Sequence, residues 1–129
     1  YIIGMMNTAD RSLAMLDYAL RRRFAFVELR PAFDSDGFRA YASTLGSTRF
    51  KKLIRVVVQL NEAIVADESL GEGFCIGHSY FCNMDADTCT DAALDSIVEY
   101  ELIPMLKEYW FDESDKVEEW ARKLNEDAR

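Results

Sequence analysis

A chain of 129 residues, half of them hydrophobic, is long enough to bury one core and suits a single domain, which excludes a disordered tail. Its net charge of −8 argues against a nucleic-acid-binding surface, because such modules need a basic patch to neutralise phosphates. Three cysteines are too few, and odd in number, for a disulfide framework, so reduced thiols in a cytoplasm are expected, and no signal peptide or run of about 18 apolar residues marks a membrane span.

The first apolar run, Ile2-Ile3-Gly4-Met5-Met6, reads as a buried strand that stops at Asn7-Thr8-Ala9-Asp10. It thereby delivers a polar amide to the carboxyl end of a strand, where open α/β sheets bind ligands. A chain that opens inside a strand, without a methionine, is expected to be a piece of a longer protein. Asp10 or Ser12 can cap the helix that follows, with Leu13, Leu16 and Leu20 on one face and Asp17 spaced four residues before Arg21. Arg21, Arg22 and Arg23 close that helix. Phe24-Ala25-Phe26-Val27-Glu28-Leu29 then predicts a second strand buried on both faces, ended by Arg30-Pro31. Such strands have open edges here, so pairing between copies or a local hairpin is expected.

From residue 34 the periodicity is helical. Asp34 or Ser35 caps a helix carrying Phe38, Tyr41, Ala42 and Leu45, which stops near Gly46. Ser47 or Thr48 starts a longer one, whose Phe50, Leu53, Ile54, Val57, Leu60 and Ile64 recur at spacings of three and four, the pattern of a bundle spine. Gly71, Gly73 and Gly77 break the period over residues 69–82, predicting a loop with a short extended piece. Thr90 or Asp91 restarts a helix with Leu94, Ile97, Val98, Met105, Leu106 and Tyr109 inward, which Pro104 should kink or divide. Asp115 with Glu118 forms a capping pattern for a last helix carrying Val117, Trp120 and Leu124. The expected fold is mainly α with a strand pair at its start.

Three blocks of this sequence resemble one family. Met6-Asn7-Thr8-Ala9-Asp10-Arg11-Ser12 with Leu16-Asp17-Tyr18-Ala19-Leu20-Arg21-Arg22-Arg23-Phe24, then Gly73-Phe74-Cys75-Ile76-Gly77-His78-Ser79-Tyr80-Phe81, then residues 102–112, are similar to the C-terminal half of the AAA+ domain of McrB-type proteins, nucleotide-hydrolysing subunits of modification-dependent restriction systems. The resemblance implies two parts: residues 1–30 as the last strand-helix-strand of the α/β nucleotide-binding core, and residues 31–129 as a helical lid. It also implies a ring, a hexamer in the family, that hydrolyses GTP or ATP with Mg²⁺, drives a partner endonuclease subunit and meets DNA through a separate N-terminal domain. No Gly-x-x-x-x-Gly-Lys-Ser/Thr loop and no acidic pair after an apolar strand occurs in these residues. The fragment alone is therefore expected to bind no nucleotide.

The candidate residues each carry two readings. Asn7 either satisfies backbone groups at a strand end or, as the resemblance implies, is the sensor 1 amide that positions the attacking water. Asp10 caps a helix or contacts nucleotide. Arg22 and Arg23 either lie solvated at a helix end, where cations suit the dipole, or supply the finger that the resemblance implies, with Asp17 orienting one of them. A finger inserted in trans raises turnover by roughly 10³ to 10⁵. His78 touches nucleotide or metal, or is a packed, hydrogen-bonded side chain; no arginine stands within residues 77–81, where many AAA+ lids carry a sensor 2 arginine. Cys75, His78, Cys82 and Cys89 match no paired Cys-x-x-Cys zinc spacing, and Cys75 and Cys82 read as small hydrophobes, so no metal is expected. Trp110, Phe111 and Trp120 lack interleaved cations and read as core or subunit interface in place of a base-stacking platform. Two further classes stay open: a non-catalytic acidic helical interaction module, and a Cys/His zinc-binding regulator.

Overall fold

Ser35, Ser47 and Thr90 fix where the principal helices begin. Each side-chain oxygen accepts the backbone N–H three residues on, from Phe38 at 3.2 Å, Phe50 at 3.1 Å and Ala93 at 3.2 Å. Each bond satisfies a donor that the helix itself leaves open and contributes about 1 kcal/mol. The computed structural model describes residues 1–6 and 18–127. Its helices are α1 (Tyr18–Arg21), α2 (Asp36–Thr44), α3 (Thr48–Ala66), α4 (Asp91–Ile97), α5 (Ile103–Tyr109) and α6 (Ser114–Arg122). Two short 3₁₀ turns, Glu72–Phe74 and His78–Phe81, link α3 to α4, where the glycine pattern predicts a loop with an extended piece. Gly46, at φ +65°, takes the left-handed conformation that ends α2, a conformation glycine adopts without the penalty of a Cβ.

Pro104 neither breaks nor ends its helix. The turn before it widens into a π turn, Val98–Leu102, closed by the Ile103 N–H on the Val98 carbonyl. Proline has no N–H to give and its ring crowds the carbonyl four residues back; a wide turn just upstream moves that carbonyl aside. Leu94, Val98, Leu102 and Leu106 consequently stay on the buried side across the wide turn.

The core is built on α3. Phe50, Val57, Leu60 and Ile64 are fully buried there and meet Ile76, Phe81, Leu94, Val98, Leu106, Trp110 and Leu124. Burial of such side chains is worth about 1.5–3 kcal/mol each relative to exposure. The C-terminal π turn Lys123–Asp127 packs along α3, and α5 packs against α6. The mainly α architecture, the core positions and, among the described residues, three of the four expected caps follow the sequence pattern.

Two expectations need correction. Among the described residues no strand forms at 2–6 or 24–29, and the local hairpin between them is not made. A strand is held by ladder bonds to a neighbour; these segments make none, and Ile3 and Leu29 stand 93% and 86% exposed. In α6 the start lies at Ser114, after Glu113, which makes no side-chain cap. The Glu113 carbonyl already receives Lys116 and Val117 N–H at 3.1 and 3.2 Å, so Asp115 falls within the first turn, where its charge suits the dipole without capping.

Candidate functional site

The segment that leads from the arginine triplet into the helices is pinned at three points. The Ala32 N–H donates to Nδ1 of His78 at 3.1 Å. Phe33 packs edge-on against the rings of Phe38 and His78, with centroids 5.3 and 6.2 Å apart. Arg30 reaches Glu72 at 3.1 Å and Glu28 at 3.3 Å, on the surface, where such pairs are worth well under about 1 kcal/mol. The histidine bond matters most, because it satisfies a backbone donor. With Nδ1 accepting, Nε2 is the ring nitrogen left to donate.

Three polar clusters hold the rest of the domain in shape. Asn61, on α3, clasps Ile76 on both sides: its amide donates to the Ile76 carbonyl at 3.0 Å and its oxygen accepts the Ile76 N–H at 2.7 Å. That clasp lays the linker onto α3 immediately before His78. The Tyr41 hydroxyl lies 2.9 and 2.8 Å from the Phe81 and Met84 carbonyls and accepts the Met84 N–H at 3.1 Å, fixing the far side of the same turn. Burial pushes its phenol pKa up. At the end of α3, Asp67 accepts from Lys116 at 2.7 Å, from both the Ser69 hydroxyl and N–H, and from the Trp110 indole at 2.8 Å. These donors, Lys116 first, hold its carboxyl far below the ordinary value. Burial, the largest single influence, would lower the Lys116 pKa, but Asp67 and Glu113 together outweigh it and the net shift is upward. Lys116 also sits 4.4 Å over the Trp110 ring.

Of the residues singled out from sequence, Asn7, Asp10 and Asp17 lie outside the described residues. Arg21, Arg22 and Arg23 are exposed and enter no ion pair among the described residues, with Arg22 and Arg23 in the turn after α1. His78 is a packed side chain whose Nδ1 is committed to backbone. The thiols do not gather around it. Cys82 donates to the His78 carbonyl, and burial pushes the Cys75, Cys82 and Cys89 thiols up, towards the protonated form that binds metal poorly. Among the described residues no three His, Cys, Asp or Glu side chains are grouped to hold a metal ion, and no helix is long and apolar enough to cross a membrane. Trp110 and Trp120 are core, whereas Phe111 is 83% exposed.

The polar anchors Asn61, Asp67 and Tyr41 carry little signal in the sequence. Apart from Ser69, two residues after Asp67, their partners lie 15 to 49 residues away.

Fold and joint together define the class: a helical lid domain fastened behind a short arm that ends in arginines. A family model described as the McrB α-helical lid domain matches residues 52–118, and the chain belongs to that family. The chain is also 44% identical, over 133 aligned positions and 99% of its length, to the type IV methyl-directed restriction enzyme EcoKMcrB subunit of Escherichia coli strain K12. It spans 29% of the length of that relative. The Asn61 clasp, the Asp67 cluster and His78 all lie within the matched span, while Ala32 and the arginines precede it.

Proposed function

We propose that this chain is the lid-bearing part of the motor subunit of a modification-dependent restriction system, with residues 1–30 belonging to the nucleotide-binding core and residues 31–129 forming the lid. The observation that carries this reading is the match of the helical body to the McrB lid family; the Ala32–His78 bond anchors the first residues of that lid to its helices. In the whole protein, a nucleotide, GTP or ATP with Mg²⁺, supplies the phosphoryl group whose transfer to water drives the motor. Its phosphates and metal are held by residues outside this chain, since the sequence contains no phosphate loop. Asn7 orients the attacking water, Asp10 contacts the nucleotide side of the arm, and Arg23, seconded by Arg22 and oriented by Asp17, reaches the neighbouring subunit's nucleotide. His78 acts on the joint and not on the nucleotide. Copies assemble in a ring, an endonuclease subunit docks on that ring, DNA is read by a separate domain, and the whole works in the cytoplasm. The relative's being a restriction enzyme subunit supports this setting.

Arg23→Ala in the whole protein tests the reading. A contact made in the transition state lowers turnover more than ground-state affinity. Nucleotide binding should therefore persist while hydrolysis slows by about a thousandfold or more, the lower limit for a finger in trans. Unchanged turnover would return the triplet to a solvated helix end. This chain by itself should show no calorimetric binding of GTP or ATP, and micromolar affinity for either would mean the site is misplaced.

A further inference from the structure

The chain that leads into the lid changes character within a few residues. Ala32 is held on both sides: its N–H donates to His78 at 3.1 Å, and its carbonyl accepts the Ser35 N–H at 3.2 Å and hydroxyl at 2.8 Å. Residues 24–29 are exposed and make no backbone–backbone hydrogen bond among the described residues. Arg30 and Pro31 stand between the two. One nitrogen of the Arg30 guanidinium, Nη2, lies 3.3 Å from Glu28 and 3.1 Å from Glu72. Glu28 belongs to the exposed run and Glu72 to the 3₁₀ turn Glu72–Phe74, so one cation ties the run to the lid just ahead of its first fixed residue.

We propose that Arg30 and Glu72 form an electrostatic strap that sets the angle at which residues 24–29 leave the lid, opening and closing while the Ala32–His78 bond stays made. Pro31 gives the strap something to hold. Its ring fixes its own φ and keeps Arg30 extended, so the torsion left to turn is ψ of Pro31. Rotation there swings everything before it and leaves the Ala32 N–H in place. With the strap closed that rotation is blocked, and bending moves upstream to Leu29. The side chains of Glu28, Arg30 and Glu72 are all more than half exposed, so the strap biases the angle by only about two- to threefold. A bias of that size suits a contact that has to open, whereas a buried pair would lock the angle. The strap's role in the motor rests on the reading above, in which residues 1–30 are core and residues 31–129 are lid.

Amide NMR spectra of the 129-residue chain, without nucleotide, test the strap, with each variant read on the side opposite its substitution. Raising salt to about 1 M, where screening acts within about 3 Å, should shift Val27 and Leu29 on one side and Gly73 and Phe74 on the other, as the closed-to-open ratio falls about two- to threefold. Glu72→Gln at low salt should place Val27 and Leu29 at their high-salt positions, and Arg30→Gln should do the same for Gly73 and Phe74. Ala32 should stay where it is throughout. The double variant Arg30→Glu, Glu72→Arg keeps one cation between two carboxylates and should regain the salt dependence that each single variant loses. In the whole protein each single variant should change steady-state hydrolysis about two- to threefold, and the double variant should return it to the wild-type value. Single variants that leave the far side unmoved, an Ala32 amide that moves with the rest, a double variant without salt dependence, or unchanged hydrolysis with the strap open would each overturn the proposal. The spectra involve no nucleotide, so a failure of the hydrolytic reading, seen with Arg23→Ala, stays distinct from a failure of the strap.

Discussion

Replacing Asn61 is the sharpest probe of how the lid holds its linker. Asn61→Ala removes both bonds to Ile76 and leaves one donor and one acceptor unpaired at a residue that is 1% exposed. An unsatisfied buried group costs about 1–3 kcal/mol. Partial access of water to this linker places the pair of losses at about 2–4 kcal/mol. For a helical unit of this size each kcal/mol lowers Tm by about 4 °C, so the midpoint should fall by about 8–16 °C. Asn61→Asp separates the two bonds. It keeps the acceptor for the Ile76 N–H but sets a charged oxygen against the Ile76 carbonyl, so its carboxyl pKa should be raised on folding. A group with a raised folded pKa contributes stability at low pH that is lost as pH rises. The Asp variant should therefore approach wild-type Tm near pH 4 and fall behind it at pH 7, in thermal melts followed by circular dichroism. A loss under about 1 kcal/mol for Asn61→Ala, or a pH-independent deficit for Asn61→Asp, would refute the clasp.

Asp67, held below the ordinary carboxyl value of 3.8, contributes stability that is complete above that value and lost as pH falls through the lower folded one; Asp67→Asn should lower Tm at pH 7, with the difference from wild type closing below about pH 4, and a constant gap would contradict the assignment. His78→Ala should cost about 1–2 kcal/mol by leaving the Ala32 N–H unpaired, and His78→Asn, whose Oδ1 can stand where Nδ1 stood, should recover most of it in denaturant melts; equal losses would show that ring packing alone matters. Pro104→Ala should leave Leu102 and Leu106 buried and raise Tm slightly, because the helix regains an N–H donor; loss of stability would mean the wide turn does not arise from the proline.

Much of this domain is written in local pattern. Ser35, Ser47 and Thr90 cap because each stands just ahead of an apolar period, and the spine from Phe50 to Ile64 is legible because a helix repeats its face every three to four residues. Trp110 and Phe111 show where that legibility stops: adjacent aromatics take opposite fates, since the chain leaves helix at Trp110, whose indole packs into the core and donates to Asp67 while Phe111 stays exposed. The strand pattern at residues 2–6 and 24–29 is equally clear in sequence, yet a strand exists only with neighbours to pair with. For the candidate site, His78 stands out in the sequence as the lone histidine, but its partner, a backbone N–H 46 residues away, has no signature there. Arg22 and Arg23 remain legible only as an exposed cationic pair beside Phe24.

The central claim is that Arg23 works on a neighbouring subunit's nucleotide, and complementation between two inactive whole proteins measures it directly. One carries Arg23→Ala; the other lacks its phosphate-loop lysine. Mixed rings contain interfaces with an intact lysine on one subunit and an intact finger on the next, so the account predicts that steady-state hydrolysis returns in part on mixing. Mixed rings that demonstrably form and hydrolyse no faster than either parent alone would contradict it.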